Sequence, residues 1–191
     1  MWEIKSISIE DKNYPSLLRK IKNPPKILYY MGQIKAKENC IAIVGTRKCT
    51  RYGREVAYQI SSELANAGIT IVSGLAPGID TMAHLGAVEN KKRTIAVLGT
   101  GLDEKSIYPK SNIKLVKKIL ENGGAVISEF PVGTRGAKYT FPLRNRIISG
   151  LSLAVLVVEA KLKSGALITA NYAKEQNRKI FAIPGPIFSP T

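Results

Sequence analysis

The sequence predicts an α/β fold: an extended Rossmann-like domain whose parallel-sheet core carries helices on both faces, preceded by a short N-terminal arm. From Cys40 onward, six short apolar runs rich in β-branched residues recur, and they are continuous rather than alternating in polarity. Runs of this kind are typical of strands that are covered on both faces. Segments with helical spacing of apolar residues separate them, and strands that alternate with helices form a parallel sheet.

Residues 1–38 differ from the rest and are predicted to form the N-terminal arm or a small subdomain. Pro15, Pro24, Pro25 and Gly32 divide this segment into short pieces, because proline and glycine interrupt regular structure. We expect a short helix over residues 14–21 and an extended segment in ILYYMG, which leads into a turn.

The Rossmann-like domain is predicted over residues 39–191. Its strands are expected in the runs CIAIVG, ITIVSG, TIAVLG, GAVISEF, LAVLVVEA and KIFAIPG. Its helices are expected over residues 54–67, 79–90, 112–122, 143–151 and 167–176. In the first helix, apolar residues recur every three or four positions, which places them on one face: Val56, Ile60, Leu64 and Ala67.

The net charge indicates the kind of partner. The chain has 29 Lys and Arg residues against 14 Asp and Glu residues, for a net charge of +15. Such a field attracts polyanions, with nucleic acid the first candidate and an anionic membrane surface the second. Because no signal peptide, lipidation motif or basic amphipathic helix supports the second option, we expect a cytoplasmic protein with no membrane partner.

Residue usage indicates no metal site, no cofactor and no enzyme. Cys40 and Cys49 lack the spacing of a metal site or a disulfide framework, and His84 is the single histidine. The carboxylates expected near strand ends include no pair spaced for general acid and base work: Asp80, Asp103, Glu129 and Glu159.

The loop after the first parallel strand is a candidate phosphate site. Gly45 permits a tight turn, and Thr46 and Arg47 follow it ahead of a helix, where backbone N–H groups, the helix dipole and a bidentate arginine favour an anion. The loop matches neither G-x-G-x-x-G nor the Walker motif, which argues against a dinucleotide cofactor and ATP hydrolysis. The alternative is an ordinary surface arginine.

Two further loops contribute candidates at the strand ends. Gly74 and Gly78 permit backbone amides to point at a ligand. Later in the chain, Lys161 and Lys163 precede a helix that Ser164 is expected to cap, and both lysines are placed to reach phosphate.

The segment KYTFPLRNR, residues 138–146, combines three cations with two aromatic rings. Lys138 is a candidate phosphate contact, and Phe141 offers a surface on which an unpaired base stacks. The alternative is a basic loop whose Phe141 inserts into the core. Arg144 and Arg146 line the binding groove or instead tether this segment to a carboxylate, with Glu129 and Glu159 as the candidates.

Taken together, the motifs resemble the DNA-processing protein A family, also called Smf, from about residue 10 to 186. The most specific are SGLAPGID and FPLRNRIISGLS, and the rest follow in the family's order: YPSLL, NPPKILYYMG, IAIVGTR, TIAVLGTGLD, YP, ISEFP, VVEA, SGALITA and FAIPG.

The resemblance implies an extended Rossmann-type domain that binds single-stranded DNA, protects incoming strands during natural transformation and loads the RecA recombinase onto them, without enzymatic activity. The family's arginine in G-[ST]-R falls on Arg47, and its K-x-x-F pair falls on Lys138 and Phe141.

Members of the family usually continue beyond the point where this chain stops, so the C-terminal end of the domain is expected to be missing. The contacts of the expected homodimer and part of the RecA-facing surface lie toward that end. The N-terminal helical domain of some members is expected to be absent or very short.

Two alternative functions remain open. One is a nucleotide phosphoribohydrolase of the lysine-decarboxylase-like group, whose P-G-G-x-G-T-x-x-E motif has only partial counterparts in residues 184–186 and 164–165. The other is a nucleotide-sensing module.

Overall fold

Six parallel strands form the centre of the sheet in the computed structural model, which describes residues 2–185. They are β3 (Cys40–Val44), β4 (Thr70–Ser73), β5 (Thr94–Val97), β6 (Ala125–Ser128), β7 (Ala154–Val157) and β8 (Lys179–Ala182). Each lies within one of the six predicted runs. The predicted α/β architecture with a parallel core is confirmed.

The N-terminal segment adds two antiparallel strands to the same sheet. β1 (Lys5–Ser8) pairs with β2 (Ile27–Gly32), and β2 pairs with β6, with Tyr29 opposite Ser128. The sheet order is therefore β1-β2-β6-β5-β4-β3-β7-β8. The segment ILYYMG is extended as predicted, whereas β1 was not anticipated. The boundary between residues 38 and 39 stays a prediction.

The N-terminal helix is shorter than predicted. Instead of residues 14–21, α1 covers only Ser16–Arg19 and begins after Pro15. Tyr14 and Leu18 are buried in the same apolar cluster as Ile147, and the Tyr14 hydroxyl donates to the Pro25 carbonyl oxygen at 2.8 Å. The segment is thus packed against the core of the Rossmann-like part.

The other helices follow the predicted order, with three earlier starts. They are α2 (Arg51–Asn66), α3 (Ile79–Val88), α4 (Ile113–Glu121), α5 (Thr140–Gly150) and α6 (Gly165–Glu175). Helix α2 begins at Arg51 because the Thr50 side chain accepts the Gly53 N–H at 3.0 Å and caps it. Helix α5 begins before Pro142 because proline fits the first helical turn, where no N–H bond is lost.

Alternate strand residues face opposite layers of helices. Ala42 and Val44 join the cluster beneath α1, α5 and α6, whereas Ile43 between them joins the cluster beneath α2 and α3. On the same face as α2 and α3, helix α4 covers a further cluster that contains Ala96. Helices therefore lie on both faces of the sheet, as predicted. Within residues 2–185, no helix is long and apolar enough to cross a membrane.

The order in which the chain adds strands to the sheet reverses at β3, between β3 and its neighbour β7. From β3 it proceeds outward through β4, β5 and β6, and it then crosses to the other side of β3 to form β7 and β8. This arrangement is a topological switch point, where α/β sheets open a crevice at the carboxyl ends of the strands. The Thr46 N–H donates to the Glu159 carbonyl oxygen at 2.7 Å and joins the two loops there.

Candidate functional site

A cleft of about 1050 Å³ opens at this switch point, and its lining is strongly positive. Its walls come from the loops after β3 and β7, from the segment between β5 and α4, and from residues 135–145. We call it the cationic cleft. Eight of its lining residues carry basic side chains, namely Arg47, Lys48, Lys105, Lys110, Arg135, Lys138, Arg144 and Lys161. The single acidic residue among the described lining is Asp80.

Several backbone N–H groups of the loop after β3 are already engaged within the protein. The Thr46 N–H donates to Glu159, and the Lys48 N–H donates to the Thr46 hydroxyl at 3.3 Å. The Thr50 N–H donates to the Glu159 carboxylate at 3.0 Å. The Glu159 carboxylate thus already lies at the expected anion site at the N-terminus of α2, and the exposed cations of this loop are Arg47 and Lys48.

Arg47 and Phe141 lie side by side in the cleft. The Arg47 Cζ atom is 5.7 Å from the centre of the Phe141 ring, within the range of a cation–π contact. The ring is half-buried. It fits because Gly136 has no side chain, since a Cβ atom there would lie 2.6 Å from the ring. Phe141 is therefore positioned by the fold but remains partly accessible from the cleft.

Lys138 and Lys161 also reach the cleft, whereas Lys163 does not. Lys138 is exposed on the turn before α5, and Lys161 is exposed on the loop after β7. Lys163 is exposed but lies outside the lining, at a φ of +63°. Ser164 occupies the N-cap position of α6, but its hydroxyl makes no hydrogen bond within the described chain, so the expected cap is not formed.

Arg144 is a buried residue of the cleft lining, and it links the ends of two strands. It is 5% exposed, and its Nη1 donates to the carbonyl oxygens of Gly74, at 2.7 Å, and of Val97. These carbonyls close β4 and β5. Burial lowers the pKa of Arg144 to about 10, while the nearby Asp80 carboxylate opposes this shift. The side chain remains charged at neutral pH and acts mainly as scaffold.

Asp80 is the buried counterpart of this cation. Its carboxylate accepts the N–H groups of Gly74 at 3.1 Å and of Ala76 at 3.3 Å. Burial raises its pKa, although the Arg144 charge and these hydrogen bonds oppose the shift. This carboxyl group organises the loop after β4.

Gly74 and Gly78 serve loop packing rather than ligand contact. Neither belongs to the cleft lining, and the Gly74 N–H is used by Asp80. A Cβ atom on Gly78, whose φ is +82°, would lie 2.4 Å from the Thr46 carbonyl oxygen. Both glycines permit close approach between neighbouring groups. The Gly74 amide is therefore not free for a ligand, whereas the role expected for the Gly78 amide stays a prediction.

Arg146 is a tether, and its assignment to the binding surface is corrected. It is 9% exposed and lies outside the cleft lining. Its Nη1 and Nη2 atoms bond the two carboxylate oxygens of Glu129 at 2.5 and 2.6 Å. Its Nε donates to the Asn23 carbonyl oxygen at 3.0 Å. Of the two carboxylates considered as partners, Glu129 is the one used.

One wall of the cleft was not anticipated from the sequence. Lys105, Tyr108 and Lys110 lie between β5 and α4, and Arg135 precedes α5. The segment LDEKSIYPK follows a strand end and combines lysines with an aromatic ring, as KYTFPLRNR does. Its composition was therefore a usable signal.

Fold and cleft together define a Rossmann-like α/β protein whose switch-point cleft has the features of a surface for a polyanionic chain. The chain belongs to the DNA recombination-mediator protein A family, whose sequence model matches residues 5–191. The resemblance inferred from the motifs is thereby confirmed.

Individual relatives are similar to this chain in sequence or structure along most of its length. Protein Smf from Synechocystis is 50% identical over 180 residues, which cover 92% of this chain and 44% of the relative. The X-ray structure of DNA processing protein A from Streptococcus pneumoniae superposes with a TM-score of 0.89 at 43% identity, covering 97% of this chain and 65% of that one. This chain thus spans less than two thirds of either protein.

A second solved structure connects the family with a ligand. DNA processing protein A from Helicobacter pylori superposes with a TM-score of 0.87 at 32% identity, covering 98% of this chain and 83% of that one. The structure of that protein is described as giving insight into its mode of binding single-stranded DNA.

Proposed function

We propose that this chain binds single-stranded DNA in the cationic cleft as a recombination mediator. The observation that carries the proposal is the pairing of Arg47 with Phe141 inside a cleft lined by basic side chains. A cation beside an accessible ring fits one nucleotide of an unpaired strand, with its phosphate on the cation and its base against the ring.

The electrostatics favour an extended anion. Eight basic residues and one buried carboxyl group line the cleft, so successive phosphates find a cation at each wall. Neutralising phosphates releases condensed counterions, and binding of this kind weakens steeply as salt rises. Lys138 and Lys161 lie on different loops, which lets a strand cross from one to the other.

The ring selects for unpaired bases. A base inside a duplex is stacked between its neighbours and cannot lie against Phe141 without being extruded, which costs a few kcal/mol. Stacking on an aromatic side chain contributes about 1–3 kcal/mol per base and tolerates most sequences. We therefore propose preference for single strands with little sequence specificity.

The wider role follows the family. We propose that the full-length protein protects incoming DNA during natural transformation in the cytoplasm, forms a homodimer and loads the RecA recombinase. Family membership supports this role. Light scattering of the full-length protein tests the dimer, and strand exchange on DNA precoated with single-strand-binding protein tests loading. A monomer, or exchange that is unchanged by the protein, would remove the respective part of the proposal.

We propose a binding protein rather than an enzyme. The one acidic residue in the described cleft lining, Asp80, is engaged by backbone N–H groups and lies beside Arg144, so it is poorly placed as a free general base. Incubation with AMP tests the phosphoribohydrolase alternative directly, and release of adenine would favour it. Tight mononucleotide binding without any gain for longer strands would favour a nucleotide sensor.

One competition series tests the binding proposal. A labelled single-stranded 20-mer is titrated with the protein and then competed with unlabelled single strand, duplex of the same sequence, or mononucleotide. We expect the single strand to compete best, the duplex weakly and the mononucleotide least. Equal competition by duplex and single strand would contradict the role given to Phe141, and absence of binding to the 20-mer would overturn the proposal.

A further inference from the structure

Tyr108 lines the cleft near Phe141 and is exposed. It belongs to the segment between β5 and α4 and is 52% exposed. Its ring centre is 5.8 Å from that of Phe141, with 53° between the planes. Phe141 thus has both Arg47 and Tyr108 as neighbours in the cleft.

The Tyr108 hydroxyl has no partner that explains the position of the side chain. Within residues 2–185 it makes no hydrogen bond, whereas the hydroxyls of Tyr14, Tyr52 and Tyr58 bond Pro25, Pro184 and Glu89. Packing also leaves half of the residue in contact with solvent. The side chain therefore presents an amphipathic ring to the cleft without a structural role for its outer face.

The segment that carries Tyr108 is fixed at both ends. The Asp103 carboxylate accepts the Gly133 N–H at 2.7 Å and the Ser106 hydroxyl at 2.9 Å, and these bonds lower its pKa. At the other end, the Asn112 side-chain amide donates to the Leu75 carbonyl oxygen at 2.8 Å. A ring held on an anchored segment loses little conformational freedom when a ligand binds.

Basic residues lie near Tyr108 in the sequence, as Arg47 lies near Phe141 in the cleft. Lys105 and Lys110 are exposed on the same segment, and both line the cleft. Lys110 is partly engaged, since its Nζ donates to backbone carbonyls of Glu104 and Lys105. Lys105 makes no ion pair within the described residues. It is therefore placed to neutralise a phosphate on this side of the cleft.

We infer that Tyr108 is a second stacking residue, so that the cleft holds two consecutive unpaired nucleotides. The first places its base against Phe141 and its phosphate near Arg47. The second places its base on the outer face of Tyr108, with Lys105 beside its phosphate. This inference rests on the proposed binding of single-stranded DNA in the cationic cleft.

Substitutions of Tyr108 test the inference, with Tyr139 as a matched control. Tyr139 is 72% exposed and lies outside the cleft lining, only two residues from Phe141. We expect Tyr108→Ala and Tyr108→Leu to bind a single-stranded 20-mer about 5- to 150-fold more weakly than the native chain, the factor that corresponds to one stacked base. Tyr108→Phe and Tyr139→Ala are expected to bind as the native chain does. Circular dichroism melting checks that each variant folds.

Comparison of a mononucleotide with a dinucleotide distinguishes the proposed second base position, at Tyr108, from the first, at Phe141. Titrations with thymidine mononucleotide and with thymidine dinucleotide, both 5′-phosphorylated, are compared for the native chain and Tyr108→Leu. We expect the substitution to weaken dinucleotide binding and to leave mononucleotide binding within about twofold of native.

Failure of the inference is distinguishable from failure of the proposed function. If Tyr108→Leu binds the 20-mer and the dinucleotide as tightly as the native chain, while Arg47→Ala binds weakly, Tyr108 is not a stacking residue and the proposed function stands. Equal loss for mononucleotide and dinucleotide would also overturn the two-nucleotide arrangement. If the native chain binds no single strand, both proposals fail.

Discussion

The Arg47 guanidinium lies 5.7 Å from the centre of the Phe141 ring, although the two residues are far apart in the sequence. Arg47 follows β3, and Phe141 lies in the first turn of α5. The topological switch point brings their loops to one cleft. The contact therefore couples a phosphate-binding cation to a stacking surface in one structural unit.

Loss of the Phe141 ring is expected to weaken DNA binding more than it weakens the fold. Phe141→Ala removes the base-stacking surface, and we expect a loss of about 1–3 kcal/mol in the free energy of binding to a single-stranded 20-mer. Phe141→Tyr retains the ring and is expected to bind nearly as the native chain does. Fluorescence anisotropy measures both.

Phe181→Ala serves as the control for that experiment, since Phe181 is an exposed ring of β8 outside the cleft. Equal affinities for Phe141→Ala and Phe181→Ala would show that Phe141 is not a stacking surface.

Glu159 is expected to control DNA binding without touching DNA. Its carboxylate accepts the Thr50 N–H at 3.0 Å and the Thr50 hydroxyl at 3.3 Å, and so fixes the loop that carries Arg47. Glu159→Ala removes these bonds, and we expect stability to fall by about 1–2 kcal/mol and the loop amides to exchange faster with deuterium. Although the loss of this carboxylate makes the surroundings of the cleft more positive, DNA affinity should fall.

The exposed Glu55→Ala substitution removes the same charge from the start of α2 and is expected to change neither property. Tighter DNA binding by Glu159→Ala would mean that its charge matters more than its hydrogen bonds.

The pair of Arg146 with Glu129 is expected to be a coupled structural unit. Both side chains are mostly buried, and removing one partner leaves the other charge uncompensated. We expect Arg146→Met or Glu129→Gln alone to cost about 3–5 kcal/mol of stability, and the double substitution to cost clearly less than the sum. Urea denaturation of the four proteins measures the cycle. Additive costs would contradict this assignment of Arg146.

Stability is expected to decrease as the pH falls below about 6.5, and His84 is one identifiable cause. Its ring is fully buried in α3, with Nδ1 2.8 Å from the Thr94 hydroxyl. Burial, and secondarily the Arg144 charge, lower its pKa from 6.5 to about 3. Between these values the unfolded state binds a proton that the folded state does not, so acid favours unfolding.

Comparison with His84→Asn isolates this contribution. The slope of the unfolding free energy against pH between 5 and 6 should be lower in the variant by up to about 1.4 kcal/mol per pH unit. The raised pKa of Asp80 acts in the opposite direction above pH 3.8, but it is common to both proteins. Parallel curves for the two proteins would show that His84 does not contribute.

The parallel core was predictable because each of its strands is a local signal. A run such as TIAVLG is apolar and rich in β-branched residues, which is enough to predict a buried strand, and β5 lies within it. By contrast, β1 and the sheet position of β2 depend on long-range pairing, such as Tyr29 opposite Ser128. No local pattern in a segment interrupted by prolines specifies that partner.

Residues of the cleft could be predicted from the sequence where the end of a strand alone determines their position. Arg47 and Lys161 follow β3 and β7, which are neighbours at the switch point. Arg146 shows the limit of this reasoning, because a basic residue near a strand end has the same sequence signature whether it faces a ligand or a carboxylate. Its partner Glu129 lies 17 residues away in sequence, and only the fold identifies it.

The central claim is that Arg47 binds a phosphate of single-stranded DNA, and the salt dependence of binding tests it most directly. Affinity for a single-stranded 20-mer is measured across a range of salt concentrations for the native chain, Arg47→Ala and Arg51→Ala. Arg51 is an exposed arginine four residues away and outside the cleft lining, so its substitution removes the same charge.

We predict that Arg47→Ala binds more weakly and that its plot of log affinity against log salt is shallower by about 0.7, the slope of one phosphate contact on a single strand. Arg51→Ala should keep the native slope. A native slope and native affinity for Arg47→Ala would contradict the account.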